Sequence, residues 1–216
     1  MKEKSTGTVS IIGGADGPTS VFVVGRTGKK TLKERVRNHI YTWKHKRAEK
    51  KIFAGTHSLE EVAAYAMDKY GAIEINKKQE KYAEQRRNLK ESLIIMHRPE
   101  LLGDMKDISR PDVYDEDSIR EFYNQMQARS EMIAKIPDRE IPMDFHIYEI
   151  KIGDDDLEME IDYVWNIFGV SYCGNKKVMK QFEKMAQDLY IYYGVSEDDI
   201  RNKTERYSSL LAALSA

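Results

Sequence analysis

With 216 residues the chain is long enough for one domain, or two small ones, to bury a proper core without covalent staples. A third of the residues are charged (33%), with 36 acidic side chains nearly balancing 35 basic ones, and that composition excludes both a structureless tail and a membrane-embedded bundle. The single cysteine, Cys173, excludes a disulfide framework within the chain and fits a reducing cytosol, and no close Cys/His pair has metal-site spacing.

In chain order, residues 8–12 are rich in β-branched side chains and suit a buried strand, as do residues 21–24. The Gly-rich segment between them makes strand–loop–strand the first reading and strand–loop–helix the alternative. Leu32, Val36, Ile40 and Trp43 form one apolar stripe, which predicts a helix over 30–53, stopped by Gly55. Ser58 with Glu61 three positions later is a capping box. The helix it starts turns Leu59, Val62, Ala63, Ala66, Met67 and Tyr70 inward and stops at Gly71. A short strand over 72–75 and a helix over 77–97, closed by Pro99, come next.

The polar stretch 109–114, around Pro111, is the expected boundary between an N-terminal region (1–108) and a C-terminal one (115–216), unless the two form one continuous domain. A helix over 116–136, with Ile119, Phe122, Tyr123, Met126, Ile133 and Ile136 inward, is ended by Pro137 and Pro142. The clearest hairpin runs from 145 to 168 around a Gly153-Asp154-Asp155-Asp156 turn. In its second arm Leu157, Met159, Ile161, Tyr163 and Trp165 alternate with Glu158, Glu160 and Asp162. A helix over 175–193 is followed by a last helix capped by Ser196, with the stripe Ile200, Tyr207, Leu210, Leu211 and Leu214. The expected class is α+β, mostly helical: an N-terminal strand–loop–strand, central helices, and a C-terminal β-hairpin followed by two helices.

The near-zero net charge hides segregation. Residues 26–51 carry 11 Lys/Arg against 2 Glu, a balance of +9, whereas residues 104–160 carry 17 Asp/Glu against 7 Lys/Arg, a balance of −10. The basic segment (Lys29, Lys30, Lys33, Arg37, Lys44, Lys46, Arg47, Lys50 and Lys51 among its cations) interleaves charge with His39, Tyr41, Trp43 and His45. Phosphate binding needs such a cluster, and aromatic rings stack on unpaired bases. The same run also fits a solvated amphipathic helix with Trp43 in the core. The acidic strip Asp154, Asp155, Asp156, Glu158 and Glu160 fits a solvated hairpin face, or a surface imitating nucleic-acid phosphate for a basic partner. It lacks the EF-hand pattern.

The most distinctive stretch is IIGGADGPTS, residues 11–20. Its glycines permit positive φ, Pro18 stiffens the loop, and Asp16 accepts bonds from its own backbone in an Asx-type turn. Alternatively the Asp16 carboxylate, with Thr19, Ser20 and loop carbonyls, supplies oxygen ligands to a cation. The segment is neither a Walker loop nor a dinucleotide fingerprint. Gly13, Gly14, Ala15, Asp16, Gly17, Pro18, Thr19 and Ser20 resemble the motif of the β subunit of sodium-translocating decarboxylases. In that family the motif lies in a broken membrane segment and its aspartate is associated with sodium. The likeness covers about fifteen residues of a polytopic membrane protein and implies a cation or small-ligand loop here, without ion pumping. The chain also resembles small soluble bacterial proteins sharing this N-terminal motif.

Residues 1–4 lead into a Gly/Ser/Thr-rich run and not an apolar one, so no signal peptide is expected. Residues 5–25 come nearest to a membrane span but are broken by glycine, proline and hydroxyls. A cytoplasmic protein with no membrane insertion and no cofactor is expected. An enzyme reading rests on Pro137-Asp138 followed by Glu149-Ile150-Lys151, which imitates the PD…ExK arrangement of metal-dependent nucleases. The favoured expectation is a non-enzymatic binding protein, a regulator or inhibitor of the kind mobile elements encode. Its partner would be nucleic acid or a nucleic-acid-binding protein, engaged through the charged surfaces.

Overall fold

The structure, a computed structural model, describes residues 7–13, 32–112 and 115–215, with the backbone alone for 7–13, 32–38 and 41. In chain order the elements are β1 (Gly7–Gly13), α1 (Leu32–Glu49), β2 (Gly55–Thr56), α2 (Leu59–Tyr70), β3 (Ile73–Glu74) and α3 (Glu80–His97). A 3₁₀ segment, Pro99–Met105, precedes α4 (Glu116–Lys135) and β4 (Phe145–Ile152). Then come β5 (Asp155–Asp162), β6 (Ile167–Gly174), α5 (Lys176–Tyr193), β7 (Gly194–Val195), α6 (Glu197–Asn202) and α7 (Glu205–Ser215). The class is α+β and mostly helical, as the hydrophobic periodicities predict.

The chain divides into two compact units, one formed by Met1–Glu74 with His146–Ala216, the other by Ile75–Phe145. The segment 109–114, read from sequence as a domain boundary, joins α3 and α4 of the same unit. Proline and polar residues mark it as a turn, but the packing of α3, α4 and the 3₁₀ segment on one another holds its two sides together.

In the larger unit a five-stranded sheet has the order β1-β6-β5-β4-β3, and β2 pairs with β7. Consecutive strands β4, β5 and β6 form a meander. β1 joins its edge antiparallel to β6, Gly7 opposite Gly174 and Gly13 opposite Phe168. Leu157, Met159 and Ile161 on β5 share a buried face with Phe168, Val170 and Tyr172 on β6. α5 covers this face with Phe182, Ala186, Leu189 and Tyr190, packing also against α2 and α7. Burying a side chain such as Phe182 or Leu189 stabilises by about 1.5–3 kcal/mol.

Local signals hold at the element ends. Ser58 Oγ accepts from Glu61 N at 3.2 Å and the Glu61 carboxylate accepts from Ser58 N at 2.7 Å, a complete capping box. Gly71 closes α2 in the left-handed region, φ 67. Met67 and Tyr123, expected inward, are 48% and 67% exposed, and three further expectations are corrected. The second hairpin arm does not run on to 168, because the Asp162 carboxylate accepts from the backbone N–H of Val164 (3.0 Å) and Trp165 (2.9 Å) and turns the chain. Asn166 takes φ 51, and β6 follows as a separate strand. The last helix is two, broken where Lys203 enters the left-handed region (φ 52). Within α1, Ile40 and Trp43 are 50% and 56% exposed while Ala48 is buried, and Ile52, just beyond its end, packs on the core.

The smaller unit packs α3 against α4 with Leu93, Ile94, Leu102, Ile133 and Ile141 buried. Buried Lys90 is neutralised by Asp138 at 2.9 Å and also donates to Ile136 O. Arg86 reaches the same carboxylate, and Arg129 pairs with Glu91 at 3.0 Å.

Candidate functional site

The C-terminal half of α1 carries a solvent-facing surface of mixed character. Ile40, Trp43, Lys44 and Arg47 fall three and four residues apart and so lie on one helix face. The Arg47 guanidinium lies over the Trp43 indole, 5.4 Å from the ring centre. Lys46, Lys50 and Lys51 are exposed beside them, and Phe53, immediately beyond, is 78% exposed. Sequence reasoning put Trp43 in an inward stripe and passed over Phe53. The signal available was the pair Lys50 and Lys51, which with Ile52 leads into Phe53. Of the predicted basic residues, Lys29 and Lys30 lie outside the described residues, and the side chains of Lys33 and Arg37 are not described.

α1 is fastened at its C-terminal end. The Glu49 carboxylate accepts from Lys203 Nζ at 3.0 Å and from the Tyr207 hydroxyl at 3.1 Å, which holds it below its usual pKa. This clamp ties the basic helix to the α6–α7 turn.

The acidic strip is not a uniform solvated face. Asp154 at the hairpin tip is exposed, but Asp155, Asp156, Glu158 and Glu160 are half-buried and Asp162 is fully buried. Asp155 accepts from the Asn175 side-chain amide at 3.0 Å, and Asn175 in turn caps α5 by accepting from Lys177 N and Val178 N. Asp155 and Asp162 therefore do local structural work at a helix start and a turn. Of the 13–20 motif, Gly13 is the last residue of β1. Gly14, Asp16, Gly17, Thr19 and Ser20 lie outside the described residues, as do residues 21–24.

The residues of the nuclease pattern have other partners. Asp138 follows α4 on a loop, held below its usual pKa first by Lys90 and then by Arg86, and Glu149 pairs with Lys151 at 3.3 Å on β4. Among the described residues no three His, Cys, Asp or Glu side chains form a group able to hold a metal. No helix among them is long and apolar enough to cross a membrane.

A polar clasp joins α2 to α5. Asp188 accepts from the hydroxyls of Tyr65 and Tyr70 and from Lys69 Nζ, each at 2.8 Å. Burial alone would raise the Asp188 pKa, but these donors outweigh it and hold it low; Lys69 is correspondingly raised. Tyr65 stacks on Tyr192 and Tyr192 on His57, both with ring centres 3.9 Å apart.

The larger unit also holds a half-open cavity of about 300 Å³, between the β5–β6 turn, the end of α5 and the start of α7. Trp165, Phe168, Tyr190 and Tyr193 give it aromatic walls; Asn166, Thr204 and Ser209 add neutral hydrogen-bonding groups. The charged residues of the wall are engaged within the protein. Arg206 donates from Nε to Gly194 O and from Nη2 to the carbonyls of His57 and Tyr193, and stacks on the Tyr193 ring at 3.6 Å. Asp199 accepts from Ser196 N and Oγ and from Thr204 Oγ1, donors that hold its pKa low against the opposing effect of burial. The sequence stripes that located α5 and α7 carried no sign of this cavity, because its walls come from three distant segments. The chain matches no protein-family model, no curated protein and no solved structure.

Proposed function

We propose that this chain is a non-enzymatic nucleic-acid-binding protein that uses the exposed face of α1 and the residues just after it. The observation that supports this reading is the exposure of Trp43 and Phe53 among Lys44, Lys46, Arg47, Lys50 and Lys51. A helix folding only for its own stability turns its tryptophan inward, since burying a large ring is worth more than 2 kcal/mol or so. Here the ring stays in solvent under an arginine, and a second exposed ring, Phe53, follows two residues after Lys51. Cations along a helix neutralise backbone phosphates and release counterions; aromatic faces stack on bases without demanding a sequence.

The test is fluorescence anisotropy of labelled oligonucleotides against the full chain over a salt series. Five phosphate contacts to a single strand give a log–log salt slope of about −3.5, roughly a hundredfold loss of affinity from 50 to 200 mM salt. Replacing Lys44, Lys46, Arg47, Lys50 and Lys51 with Glu abolishes the binding. Binding that is unaffected by these replacements, or a salt slope near zero, overturns the reading.

A further inference from the structure

We infer that the nucleic acid held by α1 is single-stranded, with Trp43 and Phe53 each stacking on an unpaired base while the cations around them follow the phosphates. This inference rests on the reading of α1 as a nucleic-acid-binding surface and names the form of its ligand. From His39 to Phe53 the described side chains include five cations, Lys44, Lys46, Arg47, Lys50 and Lys51, and one acid, Glu49. The acid is committed: it accepts from Lys203 Nζ and from the Tyr207 hydroxyl, so its charge is balanced within the chain. The surface is left strongly positive, and its complement is a polyanion.

The rings decide which polyanion. In a duplex each base is covered on both faces by its neighbours, and only phosphates and groove edges meet a protein. An unpaired base offers its flat face, and an aromatic ring stacks on it whatever the sequence. Trp43 is 56% exposed with the Arg47 guanidinium over its ring, so open indole surface remains beside a cation. Phe53, 78% exposed, stands on anchored backbone. Ile52 before it packs on the core, with its N–H bonded to Glu49 O at 3.3 Å, and Ala54 after it bridges to the fully buried Val195. The backbone that carries the ring is fixed from both sides, so less freedom is lost when a base covers it. A lipid surface is the other polyanion with an apolar layer, but an interfacial helix presents one polar face and one broad apolar face. Lys44 and Lys46 are both exposed and, two residues apart, lie about 200° from each other around the helix axis, so the cations stand on both sides of α1.

The experiment measures, by fluorescence anisotropy of the full chain, the affinity for a labelled mixed-sequence single strand, as DNA and as RNA, and for the matching duplexes, over a salt series. Vesicles of mixed phosphatidylcholine and phosphatidylserine are probed in parallel. Single strands bind at least about tenfold more tightly than their duplexes, the contrast that stacking on unpaired bases requires, and the DNA and RNA arms identify the sugar. Trp43→Ala and Phe53→Ala each weaken single-strand binding roughly 5- to 150-fold, the loss of one stacked base. The salt slope stays that of the unaltered chain, because no phosphate contact is removed. Trp43→Phe keeps a ring and recovers most of the affinity lost in Trp43→Ala, and this pair carries the test if Phe53→Ala lowers the urea midpoint. Equal affinity for single strands and duplexes, or an undiminished ratio in the double variant Trp43→Ala/Phe53→Ala, overturns the single-strand inference and leaves the α1 reading standing. Binding to vesicles without binding to any oligonucleotide, or no binding to any probe, overturns the α1 reading and this inference with it.

Discussion

Replacing Gly194 with Ala tests the junction that supports the cavity wall. Gly194 follows α5 with φ 64 and ψ −166, a region that only glycine adopts readily. A Cβ there would stand 1.9 Å from the Gly55 carbonyl oxygen, so β2 must retreat from β7. The strain of the backbone is about 1–3 kcal/mol. Each hydrogen bond lost from the β2–β7 pair, or from Arg206 Nε to Gly194 O, adds about 0.5–1.5 kcal/mol. The expected destabilisation is roughly 2–5 kcal/mol, a large part of an ordinary domain's stability. Urea unfolding followed by circular dichroism measures it as a lower midpoint at unchanged slope. Gly71→Ala is the control: Gly71 has φ 67 but nothing within 4 Å of its would-be Cβ, so it reports the left-handed backbone cost alone, about 1–2 kcal/mol. If Gly194→Ala costs no more than Gly71→Ala, the close approach to Gly55 is not a constraint and the reasoning fails.

Asp162→Ala removes a fully buried acceptor for two N–H groups of the turn and is expected to cost about 1–3 kcal/mol, read from the same unfolding curves; a loss under ~0.5 kcal/mol shows that the turn forms without the carboxylate. Asp188 has a depressed folded-state pKa, so its clasp contributes stability above the unfolded carboxylate value near 3.9 and loses it as pH falls through the lower folded value. Melting temperatures of wild type and Asp188→Asn therefore differ most between pH 5 and 8 and converge below about pH 4; a difference that stays constant through this acid range excludes the clasp as its source.

Much of the larger unit was legible in the sequence because its signals are local. The Ser58/Glu61 box and Gly71 delimit α2, and Asn175, Phe182 and Leu189 mark the start and inward face of α5, since caps and stripes depend on residues three or four positions apart. Breaks set by one residue's conformation were not legible. Asp162 bonding forward to Val164 and Trp165 looks like one more member of an alternating strand, and Lys203 at φ 52 sits inside an otherwise continuous apolar stripe. The face of α1 was misjudged for a related reason. Ile40 and Trp43 are the more hydrophobic choice, but what covers a helix is decided elsewhere, here by α7 and the turn before it meeting α1 through Tyr207 and Lys203 at Glu49.

The class, most element positions and the segregation of charge can be read along the chain, because backbone propensity and solvation act locally. Long-range packing sets residues 75–145 apart as a unit of their own and leaves Trp43 and Phe53 in solvent. The same packing puts Asp155 and Asp162 to work at a helix cap and a turn, and brings Trp165, Tyr190 and Arg206 around one cavity. These are contacts between residues from a few to tens of positions apart, fixed by which surfaces exclude water together, and no periodicity along the chain records that choice.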